Sequence, residues 1–183
     1  LFSMNNTRKD RWVFAYGSLM WRPGFEYEEV QTARLHGYHR ALCVFSPNYR
    51  GTHEKPGLVV GLDAGGSCIG RAFRLHRDNE KQVQAYLDER ELLTGVYNCR
   101  DITLALETGS QVPAYGYVVK RSHELYTGKL TPIEASQFIL GRAGRTGTCL
   151  EYLENTVTHI EELGIDGGDL RRVLDLVQDK DAG

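Results

Sequence analysis

A short stretch near the start of the sequence has residue types that could hold a small anionic group. Residues 12–16 are apolar and rich in β-formers, which predicts a short buried strand. Gly17 and Ser18 end that strand, and Pro23-Gly24 keeps the next segment irregular. A glycine at a strand end allows close approach to the backbone, and successive N–H groups in such a turn can converge on an anion. The alternative interpretation is a first core strand followed by an ordinary turn.

A second candidate is the charged segment at residues 88–91, which ends a predicted helix. An acid at a helix C-terminus, such as Glu91, opposes the helix macrodipole. Leu92 and Leu93 beside it indicate a partly apolar setting. Both effects disfavour the charged form and raise the pKa of Glu91, as a carboxylate base working near neutral pH requires. The alternative is a solvated, charged helix end.

Two more residues are of a type that lines binding sites. Arg50 begins a polar loop that ends at Pro56-Gly57, and its guanidinium could pair with a substrate carboxylate. The alternative is an ordinary surface arginine. Tyr152 falls between apolar positions of a predicted helix, so a core tyrosine is the alternative for that residue.

The elements that must position these residues follow from hydrophobic periodicity and turn signals. Strands come first along the chain and helices follow, which predicts an α+β fold with a curved or barrel-like mixed β-sheet flanked by helices. We predict strands at residues 12–16, 34–45, 58–62, 68–75, 97–106 and 112–120, with a hairpin around 63–67. We predict four helices: from the cap Asp78 to about 91, from the cap Thr131 to about 140, at 148–163 and at 169–177. The first has Val83, Tyr86 and Leu87 on its apolar face, and a Gly-rich basic loop is predicted at 142–147.

Length and composition narrow the class of protein. A chain of 183 residues with 41% hydrophobic residues fits one domain, residues 1–183. We predict that residues 1–10 are a tail and that Leu1 to Ser3 are left from recombinant expression. A net charge of −2 gives no indication of nucleic acid or an anionic membrane as partner. No apolar run approaches the roughly 20 residues of a membrane span. The four scattered cysteines predict reduced thiols and a cytoplasmic location, and the histidines show no metal-binding spacing.

The motifs together resemble the ChaC-type γ-glutamylcyclotransferase family from Trp12 to about Val177. Residues 14–21 resemble the family's YGSL signature, and the resemblance implies that Ala15, Tyr16, Gly17, Ser18, Leu19 and Met20 hold the γ-glutamyl group. It also implies that Glu91 is the catalytic carboxylate, that Arg50 belongs to a substrate-binding loop and that Tyr152 lines the pocket. The chain departs from the family pattern at Ala15, Leu58 and Cys149, where the family usually has Gly, Arg and Asn.

This resemblance implies cleavage of glutathione to 5-oxoproline and cysteinylglycine by intramolecular aminolysis. Glu91 would take a proton from the attacking amine and return it to the leaving amine. No cofactor or metal is implied, and the expected partner is the small γ-glutamyl substrate. The alternatives are cyclotransfer on other γ-glutamyl amino acids or amines, and a non-catalytic regulator of cation transport, which would not need an acid at position 91. The sequence does not indicate the oligomeric state.

Overall fold

The computed structural model describes residues 9–183. In this part of the chain, the five strands of the main sheet are β1 (Trp12–Ala15), β2 (Glu29–Ser46), β3 (Gly57–Arg74), β4 (Tyr97–Leu106) and β5 (Gln111–Val119). They form a closed barrel in the order β1, β3, β2, β4, β5. β1 and β5 pair in parallel and close the barrel, and the other neighbours are antiparallel.

Helices and a small hairpin cover one side of this barrel. They are α1 (Glu80–Glu91), α2 (Pro132–Ser136), the short strands β6 (Ala143–Gly144) and β7 (Gly147–Thr148), α3 (Cys149–Glu162) and α4 (Gly168–Asp181). The predicted α+β fold with a barrel-like mixed sheet is therefore confirmed. The hairpin of β6 and β7 lies where we predicted only a basic loop.

The predicted hairpin at residues 58–75 is wrong, because those residues form the single strand β3. β3 pairs with β2 from Gly57 opposite Ser46 to Arg74 opposite Glu29. Gly65 and Gly66, which suggested a turn, have φ of 102° and 67° and lie at a shift of register between the two strands. Glycines at positive φ accommodate a bulge that bends a strand without ending it. The glycine pair therefore curves the ladder around the barrel.

The predicted helices are confirmed, with four local corrections. The last helix, α4, continues to Asp181 instead of ending at residue 177. The N-cap of α1 is Asn79 rather than Asp78, because Val83 N–H donates to the Asn79 carbonyl to begin the helix. Tyr86 is 39% exposed rather than part of the apolar face. The capping box of Thr131 and Glu134 starts α2 as predicted. However, α2 ends at Ser136 instead of about residue 140, because tighter i→i+3 bonds follow.

Alternate side chains of β1 enter two different cores. Trp12 and Phe14 join a cluster drawn entirely from the five barrel strands, which fills the barrel. Val13 and Ala15 join a larger cluster with α1, α3 and α4 on the outside of the barrel. Since all four residues of β1 are buried, both cores hold this strand in place. The turn that follows it therefore starts from a fixed backbone.

The predicted tail at residues 1–10 falls mostly on residues 1–8, which lie outside the described residues. Of the remainder, Asp10 accepts a hydrogen bond from Arg77 Nε at 2.9 Å. Directly after the predicted tail, the Arg11 carbonyl accepts from Leu75 N–H at 2.9 Å. No helix within residues 9–183 has the length and apolar character to cross a membrane.

Candidate active site

The turn after β1 presents backbone N–H groups at the end of a buried strand. A short 3₁₀ turn spans Ser18–Met20. Its bonds use the N–H groups of Met20, Trp21 and Arg22, which donate to the carbonyls of Gly17 and Ser18. The N–H groups of Ser18 and Leu19 are outside the bonds of this turn. A Cβ built on Gly17 would have no atom within 4 Å, so the backbone faces open space at this point.

Glu91 is the last residue of α1, and its side chain is only 18% exposed. Burial raises the pKa of Glu91 above its ordinary value, and the charge of Arg90 opposes that shift. Arg90 Nε lies 3.4 Å from Glu91 Oε1. The predicted direction of the shift is confirmed. Leu92 and Leu93 are both exposed, and Leu93 lines a cavity that Glu91 also lines. The burial comes from the walls of the cavity.

Glu91 and the turn meet in a cavity of about 140 Å³, which we call the inner chamber. Of the predicted site residues, it brings together Tyr16, Gly17, Ser18, Leu19, Glu91 and Tyr152. A second cavity of about 600 Å³, the outer chamber, adjoins it. The two chambers share Ser18, Val59, Glu91, Tyr97 and Tyr152. The carboxylate thus stands at the junction of a small compartment and a large one.

Tyrosine hydroxyls supply much of the polar surface around Glu91. Tyr97 donates to the carbonyl of Val60 at 3.0 Å, and Val60 N–H donates to the Tyr152 hydroxyl at 3.0 Å. Burial raises the pKa of Tyr16 and Tyr97 well above the ordinary value and that of Tyr152 to about 12. These hydroxyls therefore stay protonated at neutral pH and can donate hydrogen bonds.

Sequence reasoning missed two of the tyrosines in the inner chamber, Tyr97 and Tyr117. Tyr117 donates to Asp88 Oδ1 at 2.7 Å, so it ties β5 to the helix that carries Glu91. Both residues were predicted to lie in strands. A strand assignment leaves the side that a residue faces undetermined until the register is known. The alternation of aromatic residues at 115 and 117 is the signal that could have suggested one shared face for Tyr117.

Arg50 lines the outer chamber, and its guanidinium is held in place there. Nη1 donates to the Thr148 carbonyl at 3.2 Å and lies 3.9 Å from Glu151. The guanidinium also lies 5.5 Å from the centre of the Tyr152 ring. Arg22 and Arg90 are further cationic side chains of the outer chamber. An arginine-rich compartment suits an anionic ligand group.

The remaining predicted site residues lie behind the chambers. Ala15 is fully buried and Met20 is 1% exposed, both in the core between barrel and helices. Neither lines a chamber. Cys149 and Leu58, two of the departures from the family pattern, contact each other: Sγ accepts from Leu58 N–H at 3.3 Å and donates to its carbonyl at 3.2 Å. These residues therefore support the site from beneath.

The charged and polar groups of the chambers do not form a metal-binding cluster. Within residues 9–183 no group of three or more His, Cys, Asp or Glu side chains is placed to hold a metal ion. In the outer chamber Trp21 stacks on His159, with ring centres 4.4 Å apart and planes 9° from parallel. The site combines one buried carboxylate, protonated tyrosines and arginines. This set can bind an anionic molecule and move a proton.

A closed barrel with two adjoining chambers at a strand end is the arrangement expected of a protein that holds a small molecule. Residues 11–180 match the family described as ChaC-like protein, and the chain belongs to that family.

The similarity extends to relatives from distant organisms. The chain is 33% identical over 163 residues to the glutathione-specific γ-glutamylcyclotransferase of Escherichia coli (strain K12), covering 89% of this chain and 71% of that protein. It is 30% identical over 172 residues to glutathione-specific γ-glutamylcyclotransferase 1 of Homo sapiens, covering 91% and 78%. A solved γ-glutamyl cyclotransferase specific to glutathione from yeast superposes with a TM-score of 0.82 at 20% identity, covering 94% of this chain and 97% of that one. This structure supports the fold.

Proposed function

We propose that this protein is a γ-glutamylcyclotransferase that converts glutathione to 5-oxoproline and cysteinylglycine, with Glu91 as general acid and base. The observation that carries the proposal is the position of Glu91, partly buried and opposite the Gly17 turn at the junction of the two chambers. The curated relatives that are named glutathione-specific γ-glutamylcyclotransferases support the same activity.

The reaction transfers one proton and exchanges one C–N bond for another. The reactive form of the substrate is the uncharged α-amine, whose lone pair attacks the γ-carbonyl carbon. As the new C–N bond forms, the carbonyl π electrons move to oxygen and Glu91 takes one proton from the attacking nitrogen. The oxyanion then collapses, the bond to the cysteine nitrogen breaks, and Glu91 returns the proton to that nitrogen. The products are 5-oxoproline and cysteinylglycine, and no water is consumed.

The raised pKa of Glu91 suits both halves of this cycle. A base with an ordinary carboxylate pKa takes a proton from an amine poorly, and its acid form is scarce at neutral pH. Burial of Glu91 raises its pKa toward the working range. A positioned group of this kind contributes about 10²–10⁴-fold to the rate. The base must be charged to act, so activity should fall as the pH decreases through the pKa of Glu91.

The inner chamber would hold the γ-glutamyl group. The N–H groups of Ser18 and Leu19, which the bonds of the turn leave unused, would bind its carboxylate or the oxyanion that forms on the γ-carbonyl. The neutral hydroxyl of Tyr16 provides a further donor in the same space. The amine and the carbonyl belong to one molecule, so the main task of this chamber is to bend the glutamyl group into the attacking conformation.

The outer chamber would hold the cysteinylglycine part. Its volume of about 600 Å³ lies within the roughly 300–1,000 Å³ of small-molecule sites. Arg50 is our candidate partner for the terminal carboxylate. Arg142 and Arg145 of the predicted basic loop at 142–147 are rival candidates by charge, but they do not line either chamber. Binding energy from this remote part can position the bond that reacts.

The test is to incubate the purified protein with glutathione, γ-glutamylalanine and a γ-glutamyl amine and to measure 5-oxoproline. Release of 5-oxoproline with a preference for glutathione is the expected result. Release from the simple γ-glutamyl amino acid at an equal kcat/KM would favour the broader cyclotransferase. No 5-oxoproline from any substrate, with a folded protein, would overturn the proposal and leave the non-catalytic regulator.

We also propose the remaining sequence predictions for this function. These are a single domain, a cytoplasmic location and no nucleic acid or membrane partner. All four cysteines are free thiols, as a reducing compartment requires. A fractionation experiment with an antibody against the protein tests the location.

A further inference from the structure

Arg90 contacts both parts of the candidate active site. Its Nη2 donates to Ser18 Oγ at 2.9 Å, and its Nε lies 3.4 Å from Glu91 Oε1. Nη1 lies 3.5 Å from the Tyr86 hydroxyl. Ser18 begins the turn after β1, whereas Glu91 ends α1. The guanidinium therefore bridges the turn and the carboxylate that the proposed reaction needs in one place.

The pairing of Arg90 with Glu91 is not what a helix produces by itself. Neighbouring residues of a helix point in different directions and do not face each other. Here the helix ends at Glu91, and the bond to Ser18 draws the Arg90 side chain across the carboxylate. A planar guanidinium can direct two N–H groups at two acceptors, which a lysine ammonium cannot do with the same geometry.

We infer that Arg90 is a positioning residue, which fixes the Glu91 carboxylate against the Gly17–Ser18 turn and sets the pH range in which that carboxylate acts. This inference rests on the proposed function for its kinetic consequences, but the contact itself is independent of the substrate.

Among the charged and titratable groups near Glu91, Arg90 is the one whose positive charge lowers the pKa of the carboxyl. Tyr16 after β1 and Tyr97 on β4 interact with the Glu91 charge, and burial keeps both hydroxyls protonated. Tyr152 on α3 lines the same two chambers and is also protonated at neutral pH. Burial raises the pKa of Glu91 and the charge of Arg90 lowers it. Removal of Arg90 should therefore raise that pKa further.

The kinetic test compares Arg90→Gln, Arg90→Lys and Ser18→Ala with the wild type across pH. We expect kcat of Arg90→Gln to fall about tenfold or more, since small displacements of a reacting group are costly. The acid limb of its kcat/KM profile should move to higher pH, because the carboxylate loses its cation. In Arg90→Lys the acid limb should return to its wild-type pH, because the positive charge is kept. Only part of kcat should return, because lysine lacks the planar guanidinium that can direct N–H groups at two acceptors.

Arg22→Gln is the matched control. Arg22 also lines the outer chamber, but within residues 9–183 its side chain makes no hydrogen bond or ion pair. Its substitution removes one positive charge from the same cavity and should leave the acid limb where it is. An equal movement of the acid limb in Arg22→Gln would mean a general charge effect and would overturn the inference.

The contact between Arg90 and Ser18 also predicts the kinetics of the double variant Ser18→Ala, Arg90→Gln. If Arg90 acts through its bond to Ser18, the losses in kcat from Ser18→Ala and Arg90→Gln should not add, and the double variant should resemble Arg90→Gln. Additive losses would mean that the two residues act separately. A rise in KM alone, with kcat and the acid limb unchanged, would make Arg90 a substrate contact instead.

A titration without substrate separates this inference from the proposed function. The Glu91 carboxyl is followed by ¹³C NMR in protein labelled at glutamate, and its signal is assigned by its loss in Glu91→Gln. Its pKa should be higher in Arg90→Gln than in the wild type, whether or not the protein releases 5-oxoproline. An unchanged Glu91 titration in a folded Arg90→Gln protein would overturn the inference, while an inactive wild type would count only against the proposed function.

Discussion

The two chambers are built in different ways. The inner chamber consists of a backbone turn, a helix end and tyrosines whose hydroxyls bond strand or helix groups. The outer chamber depends on long side chains, with arginines 22, 50 and 90 among its walls. Groups held by backbone bonds keep their geometry well enough for chemistry, whereas arginine side chains provide charge and selectivity. Changes in the inner chamber, and at Arg90, which contacts Ser18 and Glu91, should therefore reduce every reaction. Changes at the other arginines of the outer chamber should alter the choice of substrate.

The strongest test of this contrast is Glu91→Gln. The variant keeps the size of the side chain and its place at the end of α1 but removes the proton acceptor. We expect 5-oxoproline release to fall by more than about 10²-fold for glutathione and for γ-glutamylalanine alike. Steady-state kinetics with both substrates measure the loss, and circular dichroism checks the fold.

Glu89→Gln is the control for that variant. Glu89 is two residues away on the same helix, is exposed and lines neither chamber. Its substitution should be nearly silent. A loss of turnover in Glu89→Gln with normal turnover in Glu91→Gln would show that Glu91 is not the catalytic carboxylate.

Gly17→Val should have the next largest effect. A Cβ at Gly17 would have no atom within 4 Å, so space at this point permits a side chain. However, Gly17 lines the inner chamber, and a branched side chain would occupy the space beside the backbone N–H groups. We expect kcat/KM to fall about tenfold or more for both substrates, with a melting temperature close to that of the wild type.

The melting temperature is what makes the Gly17 result interpretable. A variant with a lower melting temperature and unchanged kinetics would support the alternative from the sequence, in which this segment is an ordinary turn after a core strand. Gly17→Ala, with one methyl group, should give a smaller kinetic loss than Gly17→Val.

The turn and the carboxylate of the inner chamber, unlike its Tyr97 and Tyr117, were parts of the chamber that sequence reasoning named. Its turn and its carboxylate lie at the ends of elements that hydrophobic periodicity identifies, namely β1 and α1. The capping box at Thr131 was equally visible, because all its parts lie within four residues. Features of this kind depend on short distances along the chain.

Features that depend on distant partners could not be predicted. Gly65 and Gly66 indicated a turn, but the nearby Asp63 is 2% exposed and accepts bonds from Arg121 and Tyr126. Burial opposes its charge, yet those bonds lower the pKa of Asp63, so the strand is fixed there by residues some 60 positions further along. The role of Arg90 was hidden in the same way, since its partner Ser18 lies 72 positions away.

Arg50→Lys should change selectivity rather than the general rate. The guanidinium of Arg50 lies against the Tyr152 ring and bonds the Thr148 carbonyl, and lysine would lose that fork. We expect the preference for glutathione over γ-glutamylalanine to fall about two- to tenfold, the worth of one hydrogen bond. The measurement is the ratio of the two kcat/KM values.

Arg145→Lys is the control for the selectivity test, because Arg145 is exposed and lines neither chamber. Its ratio should match that of the wild type. A wild-type ratio near one would contradict the preference for glutathione itself. A ratio that survives Arg50→Lys unchanged would move the carboxylate contact to another residue of the outer chamber.

The smallest effect on activity is expected at Cys149, which lies on α3 three residues before Tyr152 and lines neither chamber. Burial raises the pKa of the Cys149 thiol, so Sγ remains protonated, donates to the Leu58 carbonyl and accepts from Leu58 N–H. Serine keeps a donor and an acceptor at this position, whereas alanine leaves a buried carbonyl and N–H of β3 without that partner. We expect Cys149→Ala to lower the free energy of unfolding by about 1–3 kcal/mol and Cys149→Ser by less.

Neither variant should change the ratio of kcat/KM for the two substrates. Denaturant unfolding measures the first quantity and the two-substrate assay the second. A change of selectivity without loss of stability would show that the contact between Cys149 and Leu58 takes part in substrate choice. The distinction between chamber-lining residues and the residues packed behind them would then be wrong.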